Sequence, residues 1–304
     1  MNKWLKSSET ILFRIEERVA RITLNRPDKR NALSDAMLGE LEQALLEADD
    51  RRDVSVIVIE GAGHDFCAGY DLTGAYAGIA PEEMPYDPAL YRSQRSGFDD
   101  DCWALERTLE QRMRIFDLHK PVVAKIHGNC LAGGTDLAFL CDLVLAAEDA
   151  RIGFPATRAN GTPPTQFWLA HAGPQWAKRL MFTGDCLSGL DAARLGLVME
   201  AVPADRLEDE VAELARRIAL TDVELLAAHK RVINLGMELM HVRTLQRLTA
   251  ELDARAHLAS GPRRTQFKAD MASAGLKEAL KNRDEPYGDS VVRLKARGPS
   301  REKD

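Results

Sequence analysis

No uninterrupted apolar run in the 304-residue chain approaches the roughly 18 residues that a membrane-spanning helix needs. The start, MNKWLKSSETILFRIEERVARITL, carries charges where a secretory signal requires an apolar stretch. Aromatic residues make up only 6% of the chain and do not interleave with a Lys/Arg cluster. The net charge of −6 is spread without blocks of one sign, which argues against a nucleic-acid or anionic-membrane surface. There is no C-x-x-C pair, and Cys67, Cys102, Cys130, Cys141 and Cys186 are scattered and odd in number, so they read as reduced thiols of a cytoplasmic protein. His64, His119, His171 and His229 show no metal-ligand spacing and H-E-x-x-H is absent, so no metal is expected. GAGHDF lacks the third glycine of a dinucleotide fingerprint, and no G-x-x-x-x-G-K-[ST] occurs, which excludes nucleotide chemistry.

What remains is a globular composition, 45% hydrophobic, with enough chain for one large domain or one domain and a smaller appendage. ILFRIEERVARITL alternates around Glu16 to Arg18 and predicts an antiparallel hairpin. Ser34 is a candidate N-cap for an amphipathic helix carrying Met37, Leu38, Leu41 and Leu45. VSVIVIEG, VVAKI, DLVLAA and ARIGFP read as strands, and helices follow in a repeated strand, strand, helix order, which predicts an α/β core with crossover connections. The stretch from Gly74 to Gly97 lacks periodicity and reads as a long loop. Beyond Pro203 the pattern is almost purely helical. The reading is therefore a core over 1–203, a helical subdomain over 204–286 and a flexible tail over 287–304.

Two glycine-containing turns stand out, each after a strand. In GNCLAGGTD (Gly128 to Asp136), small residues lead into a helix whose first N–H groups lack internal partners and suit an anion or a developing negative charge. HDFCAGYDL repeats the plan with Ala68 and Gly69. Two such turns can aim one N–H each at a single oxygen, which is the construction of an oxyanion hole.

NRPDKRNAL, FCAGYDL, KPVVAKIHGNCLAGGTDLAFLCDLVLA, FTGDCLSGLDAARLGLVMEAVP and AGLKEALKNRDEP resemble, in order, the successive motifs of the crotonase superfamily, also called the enoyl-CoA hydratase/isomerase family. The resemblance runs from about Phe13 to Pro286. It implies an α/β spiral of strand-strand-helix turns, a C-terminal helical region that builds homotrimers or dimers of trimers, and an acyl-CoA thioester as ligand, with coenzyme A arriving on the substrate and no permanently bound cofactor. It further implies that the N–H groups of Tyr70 and Gly133 form the oxyanion hole, with Ala132 in place of the family's first glycine. Lys29, Arg30, Ala32, Ala68 and Lys277 are the positions matching those that hold CoA.

In standard hydratases of this family two glutamates hold a water. Here Asp136 stands at the first position, and Ala156, in GFPAT, stands at the second. Two-glutamate hydration is therefore not expected. A single carboxylate suffices for hydratase/isomerase-type proton transfer on an unsaturated or 3-oxo acyl-CoA, with Asp136 as the acid/base. The alternatives are hydrolytic or retro-Claisen cleavage of a bulkier or cyclic acyl-CoA, with the Gly74 to Gly97 loop as a pocket wall, and a catalytically weak acyl-CoA binding protein. Glu106, Glu110 and Asp99 to Asp101 are candidates for a second acid, and Arg158 for holding an anionic substrate group. Tyr70 is open between a ring over the acyl pocket and simple packing. Asp71 reads as a helix cap and His127 as a packed histidine. Cys130 in GNCLAG offers a rival nucleophile-elbow reading.

Overall fold

A computed structural model describes residues 2–6, 8–72, 87–95 and 97–294. β1 (Ile11–Glu16) and β2 (Val19–Leu24) pair antiparallel with Ile11 opposite Leu24. Their turn is Glu17 and Arg18, both at positive φ (48° and 66°), as a type I′ connection requires, although neither glycine nor asparagine supplies it. Ser34 caps α1 (Asp35–Asp50), its hydroxyl accepting from the Met37 N–H at 3.3 Å, and Met37, Leu38, Leu41 and Leu45 face the core.

β3 (Val56–Gly61), β4 (Val122–Ile126), β6 (Leu143–Ala147) and β9 (Glu200–Val202) extend the hairpin into a six-stranded sheet. Its order is β1-β2-β3-β4-β6-β9, parallel from β2 onward. Four short strands form a second sheet: β5 (Asn129–Leu131), β7 (Arg151–Gly153), β8 (Cys186–Ser188) and β10 (Val291–Val292), in the order β10-β8-β7-β5. A strand of the first sheet is thus followed by one of the second, β4 by β5 and β6 by β7. A helix or helical turn then returns the chain, which is the expected α/β spiral. Because both faces of the parallel strands are covered, β3 is apolar at four successive positions, Val56 to Ile59, instead of alternating.

Seven longer or shorter helices complete the site's frame: α2 (Phe98–Asp117), α3 (Gly133–Ala138), α4 (Phe167–Thr183), α5 (Gly189–Arg194), α6 (Leu207–Ala219), α7 (Val223–Leu239) and α8 (Val242–His257). α6 lays Leu207, Val211 and Ala215 on the first sheet. α2 runs antiparallel along α8, tied by Asp101 to His257 at one end (2.7 Å) and by Asp117 to Arg243 at the other. The last helix, α9 (Pro262–Asp284), breaks at Gly275, where φ is 80°.

The segment expected to be loose after residue 286 is partly ordered. Val291 and Val292 add β10 to the edge of β8, and Ser290 O accepts from the Cys186 N–H at 2.7 Å. Residues 295–304 of that segment, and residue 73 together with 74–86 and 96 of the Gly74 to Gly97 loop, lie outside the described residues.

Candidate active site

Two strand ends and one helix start build the site. Cys67 bridges Cys130 in parallel, which sets the HDFCAGYDL turn beside the GNCLAGGTD turn. Gly69, at φ 111°, presses so closely on the neighbouring turn that a Cβ there would stand 2.9 Å from the Ala132 Cβ and 3.4 Å from the Gly133 nitrogen. Leu33 N–H donates to Gly69 O (2.8 Å) and Asp71 N–H donates to Leu33 O (2.9 Å). In that parallel bridge the Tyr70 N–H points to the opposite side, and it has no acceptor among the described residues. Gly133 opens α3, so its N–H also lacks an intrahelical partner. Ala132, ahead of it, holds φ 48° and ψ −116°, a conformation that favours glycine.

Asp136 lies one turn into α3 and is fully buried. The Tyr70 hydroxyl donates to its Oδ2 at 2.6 Å and the Thr165 hydroxyl to its Oδ1 at 2.6 Å. Burial pushes its pKa up to about 6, against the opposing pull of the Arg112 charge and the two hydroxyl donors. Arg112 enters from α2 with 3% exposure. Its Nη1 donates to the Tyr70 hydroxyl at 2.6 Å, and its guanidinium lies 5.4 Å from that ring's centroid. Burial also keeps the Tyr70 phenol protonated, well above its ordinary range. Tyr70, Gly133 and Asp136 are thus brought together, and the ring of Tyr70 lies on Gly133, where a Cβ would meet Cζ at 2.9 Å.

Of the positions matched to CoA binding, Lys29, Arg30 and Ala32 share one loop, and Ala68 is hydrogen-bonded to it. Ala68 N–H donates to Arg30 O (2.9 Å) and Ala32 N–H to Lys29 O (3.1 Å). Asn31, buried at φ 54°, fixes that loop by donating to Ala62 O and Asp65 O and accepting from the Arg26 N–H. Lys29 and Arg30 are exposed beside it. Lys277 is exposed on α9, and no contact among the described residues ties it to that loop.

Several expectations change. Arg158 does not face a substrate: its side chain is 2% exposed, pairs with Asp185 (3.1 Å) and Asp284 (3.0 Å), and lies on the Tyr287 ring. Glu106 and Glu110 are exposed on α2, Asp99 and Asp100 pair with Arg92, and buried Asp101 contacts His257, so the helix sends an arginine into the site instead of an acid. Cys130 is fully buried in β5 with its thiol pushed well above the ordinary range, the opposite of an activated nucleophile. Asp71 pairs with Arg26 at 2.8 Å, and most of the helix it was expected to cap lies outside the described residues. His127 packs with Nε2 2.9 Å from Gly63 O. Arg112 and Thr165 were not anticipated.

Compared with known proteins, residues 14–268 match the family profile described as Enoyl-CoA hydratase/isomerase. The chain belongs to that family. Among similar proteins of this enoyl-CoA hydratase/isomerase family, the 2,3-dehydroadipyl-CoA hydratase of Escherichia coli (strain K12) is 32% identical over 234 residues, 76% of this chain and 84% of that one. The crystal structure of an enoyl-CoA hydratase from Mycobacterium smegmatis superposes with a TM-score of 0.84 at 37% identity, covering 94% of this chain and 97% of the other. An enoyl-CoA hydratase/isomerase from Xanthobacter autotrophicus Py2 gives 0.83 at 30% identity, covering 92% and 99%. The chain is accordingly an acyl-CoA enzyme of this family, and its fold is the crotonase fold. Among the described residues no helix is long and apolar enough to cross a membrane, and no group of His, Cys, Asp and Glu is arranged to hold a metal.

Proposed function

We propose that this enzyme binds an acyl-CoA thioester with its carbonyl oxygen between the Tyr70 and Gly133 N–H groups, and that Asp136 moves protons on the carbons beside it. The observation that carries this reading is a fully buried carboxylate, with its pKa pushed up to about 6, one helical turn from the Gly133 N–H and hydrogen-bonded to the side chain of Tyr70, neither backbone N–H having an acceptor among the described residues. A base must lose its proton near the working pH and regain it on the other side of the reaction, and a value near 6 suits both. The two donors favour the enolate over the thioester, an effect typically worth about 2.7–4 kcal/mol per donor. With one such carboxylate, the supported reaction is an isomerase-type shift: Asp136 takes a proton from C2 of a 3-enoyl thioester and returns it at C4.

CoA itself is proposed to lie along the loop of Lys29, Arg30 and Ala32 and the backbone of Ala68, with Lys277 as a further cation. The 3′-phosphate and pyrophosphate need such partners. Self-association into trimers is supported by α7, which presents Leu225, Val232, Ile233, Leu235 and Leu239 to solvent.

The test is turnover of the wild type and of Asp136→Asn on enoyl-, 3-hydroxy-, 3-oxo- and cyclic-CoA thioesters, with products identified by mass. Isomerisation that disappears in Asp136→Asn is expected. Turnover confined to 3-oxo or cyclic thioesters assigns the site to C–C cleavage instead, and binding without turnover makes the protein an acyl-CoA binder.

A further inference from the structure

Adding water across a C=C bond requires two proton carriers, one that takes a proton from the water and one that gives a proton to the neighbouring carbon. Asp136 supplies one. Ala156 supplies none, Glu106 and Glu110 face solvent, and Asp253 accepts from the Thr162 N–H at 2.8 Å and faces His257. The Tyr70 side chain, however, spans the distance that matters. Its ring covers Gly133, one proposed oxyanion donor, and its hydroxyl ends 2.6 Å from Asp136 Oδ2.

We infer that the Tyr70 phenol is the second proton carrier of this site and makes the enzyme competent to hydrate 2-enoyl thioesters; this rests on the assignment of Asp136 above. The hydrogen-bond polarity fixes the direction of transfer. Arg112 has no acceptor, so its Nη1 donates to the phenol oxygen, and the phenol proton rests on Asp136 Oδ2 until that carboxylate takes a proton from water and frees the phenol O–H for C2. Arg112 is suited to hold the phenolate that forms when this proton leaves. It is buried, with 3% exposure, and its Nε and Nη2 have no partner among the described residues, so no carboxylate pairs with it directly.

The steps balance. The Asp136 carboxylate takes a proton from water as the water oxygen bonds to C3. The C2=C3 electron pair moves toward the thioester carbonyl, and the resulting enolate oxygen is held by the Tyr70 and Gly133 N–H groups. The Tyr70 O–H bond then breaks, its proton goes to C2, and the phenolate recovers a proton from Asp136 across the 2.6 Å contact. The net change is one water added, with both side chains restored. Arg112 touches neither water nor thioester and is a positioning residue.

The experiment compares two reactions in one protein: hydration of crotonyl-CoA and isomerisation of 3-hexenoyl-CoA, which needs only one proton carrier. Tyr70→Phe keeps the ring on Gly133 and the backbone N–H. Because the hydroxyl also donates to Asp136, some loss in both reactions is expected, but kcat for hydration should fall about 10²–10⁴-fold further than kcat for isomerisation, the usual worth of a positioned acid. A cooperative urea-unfolding transition and residual isomerisation show that the variant folds. Hydration at the wild-type rate in Tyr70→Phe, an equal loss of both reactions, or a wild type that does not hydrate crotonyl-CoA each overturns the inference. Isomerisation surviving Asp136→Asn overturns the assignment of Asp136 and is read independently of Tyr70→Phe.

Discussion

Replacing Asp136 with Asn tests the burial argument without reference to any substrate. In the folded chain this carboxyl keeps its proton up to about 6, whereas in the unfolded chain it ionises near 3.8. Between those values the folded state binds more protons, so rising pH costs stability, by up to about 1.4 kcal/mol per pH unit. The contribution is complete below 3.8 and gone above about 6, and the interval of roughly two pH units corresponds to about 3 kcal/mol. Asparagine does not titrate, and the remaining acids are common to both proteins and cancel in the difference. Urea unfolding at pH 4 and pH 7 is therefore expected to show the stability gap moving by about 2.5 kcal/mol, most of the full contribution, in favour of Asp136→Asn. In the wild type, kcat for a reaction that needs the carboxylate should fall about tenfold per pH unit below 6. A gap that stays constant between the two pH values, or a flat kcat down to pH 5, refutes the reasoning.

Arg158→Met withdraws a cation from Asp185 and Asp284 and is expected to cost about 3 kcal/mol in urea unfolding, with kcat per folded molecule unchanged; a large kcat loss would return Arg158 to the substrate site. Native protein should resist alkylation of Cys130 by iodoacetamide while the urea-unfolded chain reacts, and activity lost in step with Cys130 labelling would revive the nucleophile reading. Ala132→Gly relieves a residue held at φ 48° and should raise stability by about 1 kcal/mol, measured by the urea midpoint, with a lowered midpoint counting against strain at that turn.

Much of the frame is legible because its signals are local. Ser34 followed by Met37, Leu38 and Leu41 announces α1 by its cap and its spacing, and VVAKI is the whole of β4. The second sheet is harder to read. β5, β7 and β8 have three residues each, too few for alternation to show, and they are held by partners far along the chain, as Cys130 is by Ile152 and Cys186 by Val291. The hairpin turn escapes the usual rule as well, since Glu17 and Arg18 take positive φ under the demand of the strands they join.

The same distinction separates the two halves of the site. Asp136 is found from the strand, small-residue turn and helix that carry it, all within nine residues. Arg112 is 24 positions earlier on another element, and its partner Tyr70 is 42 positions earlier still. A signal for it does exist. Leu105, Leu109 and Phe116 define the buried stripe of α2, and Arg112 falls on that stripe at the spacing of a core residue. A charge on an apolar stripe must find a partner inside the protein, because burial of an unpaired guanidinium costs several kcal/mol. The partner here is an uncharged phenol, with the Asp136 carboxylate one hydrogen bond further on. That order matters chemically. A guanidinium in direct contact with Asp136 would hold the carboxyl low and make it a poor base. With Tyr70 between them, burial still wins, the carboxyl rises to about 6, and the cation's field falls on the phenol oxygen instead.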